Sequence, residues 1–489
     1  MAYDYDLIVI GGGAAGLTAS GLGAILGART LMIERDRLGG DCTWHGCVPS
    51  KTLLKTAQVA HYIRHAGHYG LTDQPLEVDF ARVMQRLRSL RQAIYEEADA
   101  PERYERLGVD VRHGAARFLD PHTLEIDRTD ETDRVTGRYI LIATGARAAV
   151  PPLPGLDTVP YLTNETLFDL DRLPGHLAVV GAGPIGTEMA QAFRRLGSEV
   201  TVIDMAPRIL TNDDEELAAL LLGALEQEGI RFVLDAGVQE VRRDGDGLVL
   251  VVEQRGTRRA IRADALLVAT GRRPNLDGLN LDAAGVEHTR QGITVDERGR
   301  TSQRHIYAAG DVTGRFQFTH MSEHMAKVAV TNALLKVPMS FDTKHVPWVT
   351  YTDPELAHVG ATEAHLQEAG TRYEVFRFPY DRIDRAITDS ETTGLIKVFA
   401  RPRGKILGVS ILGARAGELI GEFALAQRNG ISLRRIADTI HPYPTYGLGV
   451  RRAADQWYVR RQMPGLMRLV KKLFGYRGTV HTFDRDEVV

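Results

Sequence analysis

Two stretches of the chain share one order of apolar and glycine-rich positions. In the first, an apolar run at residues 5–10 predicts a buried strand, and it leads into the turn Gly11-Gly12-Gly13-Ala14-Ala15-Gly16. An apolar helix is predicted over Leu17–Leu26, and the next predicted strand, Thr30–Glu34, ends in an acid. This order is typical of a dinucleotide site, in which the helix N-terminus binds pyrophosphate and the acid, here Glu34, binds ribose hydroxyls.

The second stretch repeats the first. A predicted strand at His176–Val180 leads into a second G-x-G-x-x-G turn, and the strand predicted over Glu199–Asp204 again ends in an acid. The glycines of this turn are Gly181, Gly183 and Gly186. Two such units in one chain imply two bound dinucleotides, and the alternative is a duplication in which one site is inactive.

Other apolar patterns complete an α/β chain followed by an α+β segment. A strand is predicted to end at Ala143-Thr144-Gly145, and Ala269-Thr270-Gly271 echoes it; prolines at 151, 152 and 154 indicate a linker. Helices are predicted over residues 50–64 and about 78–107. From about Val346 the character changes, with strands near 373–379, 394–400 and 406–413 and helices near 416–429 and 432–439.

Composition narrows the class of protein. Of 489 residues, 44% are hydrophobic and 25% charged, and the net charge of −3 does not suggest a nucleic-acid binder. Two cysteines argue against a secreted disulfide scaffold. The acidic N-terminus is unlike a signal peptide, and the sequence contains no apolar stretch of membrane-spanning length. We therefore expect a cytoplasmic protein.

The two cysteines, Cys42 and Cys47, lie in one glycine-rich stretch, residues 39–51. In a regular helix their Cα atoms would be about 8.6 Å apart, whereas a disulfide needs less than roughly 7 Å. A bridge therefore requires the segment to leave regular structure, which Gly46 permits. Pro49 suits the first turn of a helix, so Cys47 is predicted just ahead of a helix N-terminus, where the helix and nearby Lys51 would stabilise a thiolate. The alternative is two unrelated thiols in a loop.

The flanking residues favour the disulfide. Residues 39–51 match the pattern G-G-x-C-x-x-x-G-C-x-P-[ST]-K and resemble the redox-active disulfide of the pyridine nucleotide-disulfide oxidoreductases, the flavoprotein family of dihydrolipoamide dehydrogenase, glutathione reductase and mercuric reductase. The resemblance runs from about Asp4 to about Gln462. It implies that Cys47 faces the flavin, that Cys42 is the interchange thiol facing the substrate, and that Lys51 lies near the flavin.

The resemblance also implies the cofactors. The first unit would bind FAD, with Asp311 as a second FAD contact, and the second unit would bind the nicotinamide cofactor. Asp204 can accept hydrogen bonds from a ribose 2′-hydroxyl but would repel a 2′-phosphate, so NADH is favoured over NADPH, although Arg208 lies nearby. Glu188 resembles the glutamate that pairs with the active-site lysine, and its alternative role is that of an ordinary first-turn acid.

On this resemblance, we predict an α/β fold with two Rossmann-like dinucleotide-binding domains and a C-terminal α+β dimerisation domain. The expected FAD-binding domain comprises residues 1–153 and 278–345, and the NAD(P)-binding domain residues 154–277. The dimerisation domain comprises residues 346–462, and a tail covers 463–489. The protein is expected to be a homodimer.

The residues before the C-terminal tail depart from the disulfide-reducing branch of the family. Members of that branch end in H-x-H-P-T-x-x-E, which the partner subunit supplies as an acid–base histidine and its orienting glutamate. Here Tyr443 stands at the histidine position and Leu448 at the glutamate position. Tyrosine at this position, together with Asp384-Arg385-Ala386, resembles mercuric reductase, but the C-terminal cysteine pair of that branch is absent from the sequence. His441 and His45 are candidate bases or soft-metal ligands, or structural histidines.

Three functions follow from these observations. The first is an FAD- and NAD(P)H-dependent oxidoreductase that reduces a metal ion or an unidentified acceptor. The second is a dihydrolipoamide dehydrogenase or thiol-disulfide reductase with a relocated base. The third is a membrane-peripheral flavoprotein that reduces a quinone or a protein partner. Residues 467–474 alternate apolar and basic residues at helical spacing, and they could contact an anionic membrane surface or pack on the dimer.

Overall fold

The computed structural model describes residues 3–128, 131–461 and 463–478. These residues form two compact units. One consists of the chain up to Ile203 together with Ala236–Phe341, and the other of Asp204–Asp235 together with the chain from Asp342 onward. The mixed α/β architecture agrees with the predicted fold class.

A seven-stranded sheet lies at the centre of the first unit. Its first strand, Tyr5–Ile10, pairs in parallel with Thr30–Glu34 on one side and Thr132–Ile142 on the other, with Ile8 opposite Leu31 and Ile140. Leu7, Ile8 and Val9 are at most 1% exposed, as expected for a parallel strand covered on both faces. The remaining strands are Val109–His113, Ala115–Phe118, Thr123–Asp127 and Ile306–Ala308.

The second nucleotide-binding stretch predicted from the sequence builds a further parallel sheet, which also lies in the first compact unit. His176–Val180 pairs with Glu199–Ile203 on one side and with Ala265–Val268 on the other. Next to these in sequence is an antiparallel sheet that the pattern analysis did not identify, formed by Ala236–Asp244, Gly247–Gln254 and Thr257–Ala263. Four short strands form two small antiparallel pairs: Ala146–Ala148 with Arg272–Pro274, and His288–Thr289 with Gly292–Ile293.

The three helices predicted in the first compact unit are present, and one of them is broken. The helix predicted over 78–107 is divided into Phe80–Ile94, a π-helical turn at Tyr95–Asp99, and Pro101–Glu105. Pro101 lacks an N–H and forces the preceding residue into an extended conformation, so the helix must stop and restart. The other helices are Ala14–Ile25, Gly40–Trp44, Cys47–Arg64, Pro184–Leu196 and Thr319–Val330, with shorter turns at Ala66–Tyr69, Leu156–Thr158, Leu167–Asp169, Asp311–Thr313 and Thr331–Leu335.

The second unit contains a five-stranded antiparallel sheet. Its strands lie in the order Pro347–Thr350, Glu355–Gly360, Ile406–Gly413, Leu395–Ala400 and Glu374–Pro379. The predicted strands and helices of this segment are confirmed to within two residues. The helices are Glu215–Gln227, Glu363–Glu368, Asp384–Thr388, Ala416–Arg428, Leu433–Ala437, Gly447–Arg461 and Met463–Phe474, with a short strand at Arg231–Val233 and a turn at Tyr380–Arg382.

A buried ion cluster ties one helix of the second unit to the sheet. Lys397, whose side chain is 3% exposed, lies 2.9 Å from Asp214 at the start of the helix Glu215–Gln227. Its ammonium also lies 2.8 Å from Glu363 and 3.0 Å from Glu216. Charges are buried at acceptable cost only when they are paired and hydrogen-bonded in this way.

Candidate functional site

The first glycine-rich turn forms a phosphate cradle that side chains would fill. Gly11 has a φ of +108°, and a Cβ atom there would lie 2.4 Å from the carbonyl oxygen of Ala143. A Cβ atom on Gly16 would lie 1.8 Å from the carbonyl oxygen of Gly11. The helix then begins after Gly13 without a side-chain cap, so its first N–H groups face the turn. These features fit a pyrophosphate at the helix N-terminus.

Glu34 lies beside this cradle. One carboxylate oxygen accepts a hydrogen bond from the N–H of Gly12 at 2.6 Å, and the other accepts from the N–H of Asp36 at 2.8 Å. The carboxylate is therefore held at the mouth of the glycine turn, where the ribose of a dinucleotide whose pyrophosphate occupies the cradle would be expected. The predicted FAD residues of the first unit thus lie together, and the fold around them fits the cofactor.

Asp311 is joined to the cysteine segment through an arginine that sequence analysis missed. Arg272 lies 3.5 Å from Asp311 and 3.0 Å from Asp41, which is also hydrogen-bonded at 3.0 Å by the amide of Asn164. Burial raises the pKa of the Asp311 carboxyl, and Arg272 opposes that rise. Because these residues are far apart in sequence, the pattern of apolar positions carried no signal of the contact.

The cysteine segment leaves regular structure as expected. Gly39 and Gly40 have φ values of +94° and +57°, and a five-residue helix, Gly40–Trp44, carries Cys42. The second helix begins at Cys47 itself, three residues before the predicted start at residue 50, because Gly46 serves as its N-terminal boundary. Pro49 therefore occupies the third helical position. This location still gives the Cys47 sulfur the benefit of the helix N-terminus.

The two cysteines are free thiols that hydrogen-bond to each other. The Sγ atom of Cys47 also lies 3.4 Å from the hydroxyl of Thr319, the first residue of the helix Thr319–Val330. The hydrogen bond from Cys42, followed by those from Thr319 and the charge of Lys51, lowers the pKa of Cys47 to about 6 although burial opposes it. The hydrogen bond to Cys47 and burial raise the pKa of Cys42. The surroundings therefore favour the thiolate on Cys47 over a thiolate on Cys42.

Lys51 and Glu188 form an ion pair. The ammonium of Lys51 lies 2.9 Å from a carboxylate oxygen of Glu188, whose side chain is 6% exposed. Lys51 is on the helix that begins at Cys47, and Glu188 is in the first turns of the helix that follows the second glycine turn. The pair therefore links the cysteine helix to the second nucleotide-binding unit.

The second glycine turn reproduces the geometry of the first. Gly181 has a φ of +111°, and a Cβ atom there would lie 2.3 Å from the carbonyl oxygen of Ala269. A Cβ atom on Gly186 would lie 1.9 Å from the carbonyl oxygen of Gly181, while Gly183 faces open space. Gly145 and Gly271, which end the two Ala-Thr-Gly elements, both have positive φ, at +67° and +120°. The two cradles are thus equivalent, and the second retains the shape needed for a dinucleotide.

Asp204 follows the strand Glu199–Ile203 directly in the chain. One of its carboxylate oxygens accepts a hydrogen bond from the N–H of Ala206 at 2.7 Å. The guanidinium of Arg208 donates to the carbonyl oxygens of Leu210, at 2.9 Å, and Thr211. Arg208 is therefore engaged with its own loop.

The residues at the family's acid–base positions lie in the second compact unit, in the segment that follows Asp342. Tyr443 is 69% exposed in the loop before the helix Gly447–Arg461, and a hydrogen bond to Asp384 raises the pKa of its hydroxyl. Leu448 is buried at 8% exposure. The side chain of His441 is held at both nitrogens: Nδ1 lies 3.0 Å from the carbonyl oxygen of Thr439, and Nε2 lies 3.1 Å from Glu422. Glu422 was not anticipated from the sequence.

Candidate metal ligands do not gather in the part of the chain that the structure describes. Within residues 3–128, 131–461 and 463–478, no group of three or more His, Cys, Asp or Glu residues is arranged to hold a metal ion. The Nδ1 atom of His45 is buried and has no hydrogen-bond partner among the described residues. The two thiols are therefore the principal soft ligands of this site.

Comparisons with known proteins agree with this geometry. Residues 5–326 match the family described as "Pyridine nucleotide-disulphide oxidoreductase", and residues 346–454 match its dimerisation domain. A mercuric reductase from Lysinibacillus sphaericus is 37% identical over 92% of this chain and 82% of its own length. A dihydrolipoyl dehydrogenase from Bacillus subtilis is 32% identical over 93% of this chain and 98% of its own length. A solved Cu(II) complex of RclA, an HOCl-induced flavoprotein disulfide reductase from Escherichia coli, has a TM-score of 0.83 at 29% identity and covers 93% of this chain and 99% of that one.

The two enzymes from Lysinibacillus sphaericus and Bacillus subtilis match nearly the whole chain at over 30% identity, and with the family match they confirm the predicted fold, the predicted family and the class of enzyme. The family binds FAD and a pyridine nucleotide, and its dimerisation domain supports a homodimer. The chain belongs to the pyridine nucleotide-disulphide oxidoreductases and is a flavoprotein disulfide reductase.

Proposed function

We propose that this enzyme uses NADH to reduce a thiophilic metal ion at the Cys42–Cys47 pair. The observation that carries the proposal is the pair of residues at the family's acid–base positions, an exposed Tyr443 and a buried Leu448. A tyrosine hydroxyl ordinarily has a pKa near 10, and the neighbouring Asp384 raises it further. Tyr443 is therefore poorly matched to moving the proton that thiol–disulfide chemistry requires at neutral pH.

The binding roles follow from the two cradles. Gly11, Gly13, Gly16 and Glu34 would hold the pyrophosphate and ribose of FAD, with Gly145 and Asp311 as further contacts; Gly181, Gly183, Gly186, Asp204 and Gly271 would hold the nicotinamide cofactor. The chemistry that these cofactors would supply is hydride transfer from the nicotinamide to the flavin and two electrons for the cysteine pair. The ion pair of Glu188 with Lys51 would keep the ammonium oriented toward the Cys47 thiolate.

The metal step needs only the two sulfurs. A divalent soft ion such as Hg(II) binds the Cys47 thiolate and displaces the proton of Cys42, which leaves to solvent, so that two S–Hg bonds form. Those bonds then break as the S–S bond forms: the two thiolates are oxidised by two electrons, and Hg(II) is reduced to Hg(0). With Cu(II), two ions each accept one electron. No leaving thiol has to be protonated, so the absent histidine–glutamate pair is not required.

Sequence similarity alone does not distinguish a metal-ion acceptor from a dithiol substrate, because relatives with both activities in their names match this chain about equally well. Proteins named mercuric reductase are 34–37% identical to this chain, but proteins named dihydrolipoyl dehydrogenase are 32–36% identical. The Cu(II) complex of the structural neighbour supports a metal acceptor, because a protein of similar fold binds Cu(II). The proposal of a metal acceptor therefore rests on the residues at positions 443 and 448.

A second candidate is a thiol-disulfide reductase that uses His441 as its base. The pairing of His441 with Glu422 at 3.1 Å resembles a histidine–carboxylate dyad. However, a base must present an unshared nitrogen lone pair to its substrate, and both ring nitrogens of His441 are already engaged with oxygen atoms of its own chain. The geometry therefore favours a structural role for His441.

We expect NADH to reduce the flavin at least about tenfold faster than NADPH, because the Asp204 carboxylate would repel a 2′-phosphate and Arg208 is bound to its own loop. Stopped-flow flavin reduction by the two nucleotides measures this preference. Asp204→Asn should reduce the preference for NADH, whereas the charge-retaining Asp204→Glu should preserve it. A faster rate with NADPH in the wild-type enzyme would show that the assignment of Asp204 is wrong.

The dimer and the location complete the proposal. In a homodimer of the family type, Tyr443 of one subunit would face the dithiol of the other. A cytoplasmic location would suit the enzyme, because a thiolate-based site works best where thiols are kept reduced.

Steady-state NADH oxidation tests the acceptor. We expect turnover with Hg(II), supplied as its complex with excess free cysteine, or with Cu(II), and turnover with lipoamide at least about 10²-fold lower in kcat/KM. Reactions without enzyme and with Cys42→Ser correct for direct reduction of the ion by thiol. Good turnover of lipoamide together with none of either metal would contradict the proposal.

A further inference from the structure

The last described helix has two chemically opposite sides. In the helix Met463–Phe474, successive residues are about 100° apart, so Leu466, Leu469 and Leu473 share one side while Arg468, Lys471 and Lys472 share the other. The leucines are 45%, 53% and 67% exposed, and Phe474 is 67% exposed. The apolar side is therefore open to solvent in a single chain.

The charge on the polar side has one sign. Residues 465–478 contain four basic residues and no acidic one, the fourth being Arg477. Tyr476, which is 59% exposed, adds an aromatic ring with a polar tip next to the apolar side. Such a segment attracts anions at the same time as it needs to bury apolar surface.

The helix also lies outside the part of the chain that matches the family. The match to the dimerisation domain ends at residue 454, before the helix begins. Among the helices that the structure describes, none is both long enough and apolar enough to cross a membrane. A short helix with a basic side and an open apolar side suits a position in the plane of a membrane surface.

We propose that the helix Met463–Phe474 docks the enzyme on an anionic lipid surface. The leucine side enters the boundary between headgroups and acyl chains, and Arg468, Lys471 and Lys472 contact lipid phosphates. Charge complementarity selects lipid over a neutral apolar partner. The lipid contact is independent of the acceptor that the dithiol reduces, so each can hold without the other.

Sedimentation of the full-length FAD-loaded enzyme with phospholipid vesicles tests this docking. We expect binding to vesicles that contain phosphatidylglycerol, little binding to pure phosphatidylcholine vesicles, and loss of binding at high salt. Leu469→Glu with Leu473→Glu should abolish it. Lys471→Gln with Lys472→Gln should weaken it on the order of 30-fold, since each cation near an anionic surface contributes about fivefold.

Matched controls separate these effects from misfolding. Lys471→Arg with Lys472→Arg retains the charge and should retain binding. Leu220→Glu places a charge at another exposed leucine, on the helix Glu215–Gln227, and should change nothing. All variants should keep the wild-type flavin spectrum and NADH oxidation rate in solution.

Three results would overturn the proposal. One is equal binding of the wild-type enzyme to anionic and zwitterionic vesicles, or no binding to either. Another is binding that survives the leucine-to-glutamate variant. The third is dissociation of the dimer by that variant in light scattering, without lipid binding by the wild type, which would show that the leucine side packs against the second subunit.

Discussion

Replacing Cys47 with serine should reduce NADH oxidation by every acceptor to the background rate, because a serine hydroxyl can neither form the disulfide nor ionise near neutral pH. In wild-type enzyme reduced by two electrons, the Cys47 thiolate beside the flavin should give a long-wavelength absorbance. Because the pKa of Cys47 is lowered to about 6, the thiolate is present above that pH, and the absorbance should fade as the pH falls through about 6 rather than through about 9.

Cys42→Ser is the matched control for this experiment. It removes the interchange thiol but leaves Cys47 as a thiolate, so the absorbance should be present without added reductant while turnover is lost. If Cys47→Ser kept the long-wavelength absorbance, the assignment of Cys47 as the thiol facing the flavin would be wrong. If Cys42→Ser were fully active, the disulfide itself would have no part in turnover.

The wild-type enzyme should oxidise dihydrolipoamide about 10²–10⁴ times more slowly than an enzyme with a positioned acid–base group does. The reason is that oxidising a dithiol requires removal of a proton, and Tyr443 and Leu448 supply no group with a suitable pKa. Tyr443→His should raise this activity, because Asp384, which hydrogen-bonds Tyr443, is placed to orient the introduced imidazole. Flavin reduction by NADH should not change.

Two further variants make that result interpretable. Tyr443→Phe removes the hydroxyl without supplying a base and should not raise dihydrolipoamide oxidation. Tyr443→His with Leu448→Glu restores both family residues, but Leu448 is buried, so a gain from this double variant is expected only if its flavin spectrum and thermal unfolding midpoint match those of the wild type. A wild-type enzyme that already oxidises dihydrolipoamide rapidly would show that a base other than Tyr443 is present.

The nucleotide-binding elements could be predicted from the sequence because their signals are local. A buried parallel strand, a glycine turn and an apolar helix are contiguous, and the steric need for Gly16 is set by the carbonyl oxygen of Gly11 in the same turn. By contrast, Thr319 contacts a cysteine 272 residues away, and Arg272 joins two acids that are 270 residues apart in the chain (311 − 41). Such contacts depend on how the chain packs, and the periodicity of apolar positions in the sequence does not predict them.

Two parts of the secondary structure, the break in one helix and one antiparallel sheet, were not predicted from the sequence. The helix predicted over 78–107 ignored Pro101, whose local effect outweighs the helical pattern around it. The antiparallel sheet of residues 236–263 has one apolar strand, Gly247–Gln254, between two strands with mostly polar and charged residues. Pairing with the central strand, rather than the sequence of each outer strand alone, stabilises those two in place.

The most direct test of metal reduction is a single turnover of the two-electron-reduced enzyme. In a stopped-flow experiment without excess NADH, mixing with the Hg(II)–cysteine complex should discharge the long-wavelength absorbance and regenerate the oxidised flavin spectrum with release of one Hg(0) per dithiol. Mixing with oxidised lipoamide should be slower by about 10²-fold or more. Rapid discharge by lipoamide and none by Hg(II) or Cu(II) would contradict a metal acceptor and identify the enzyme as a disulfide reductase.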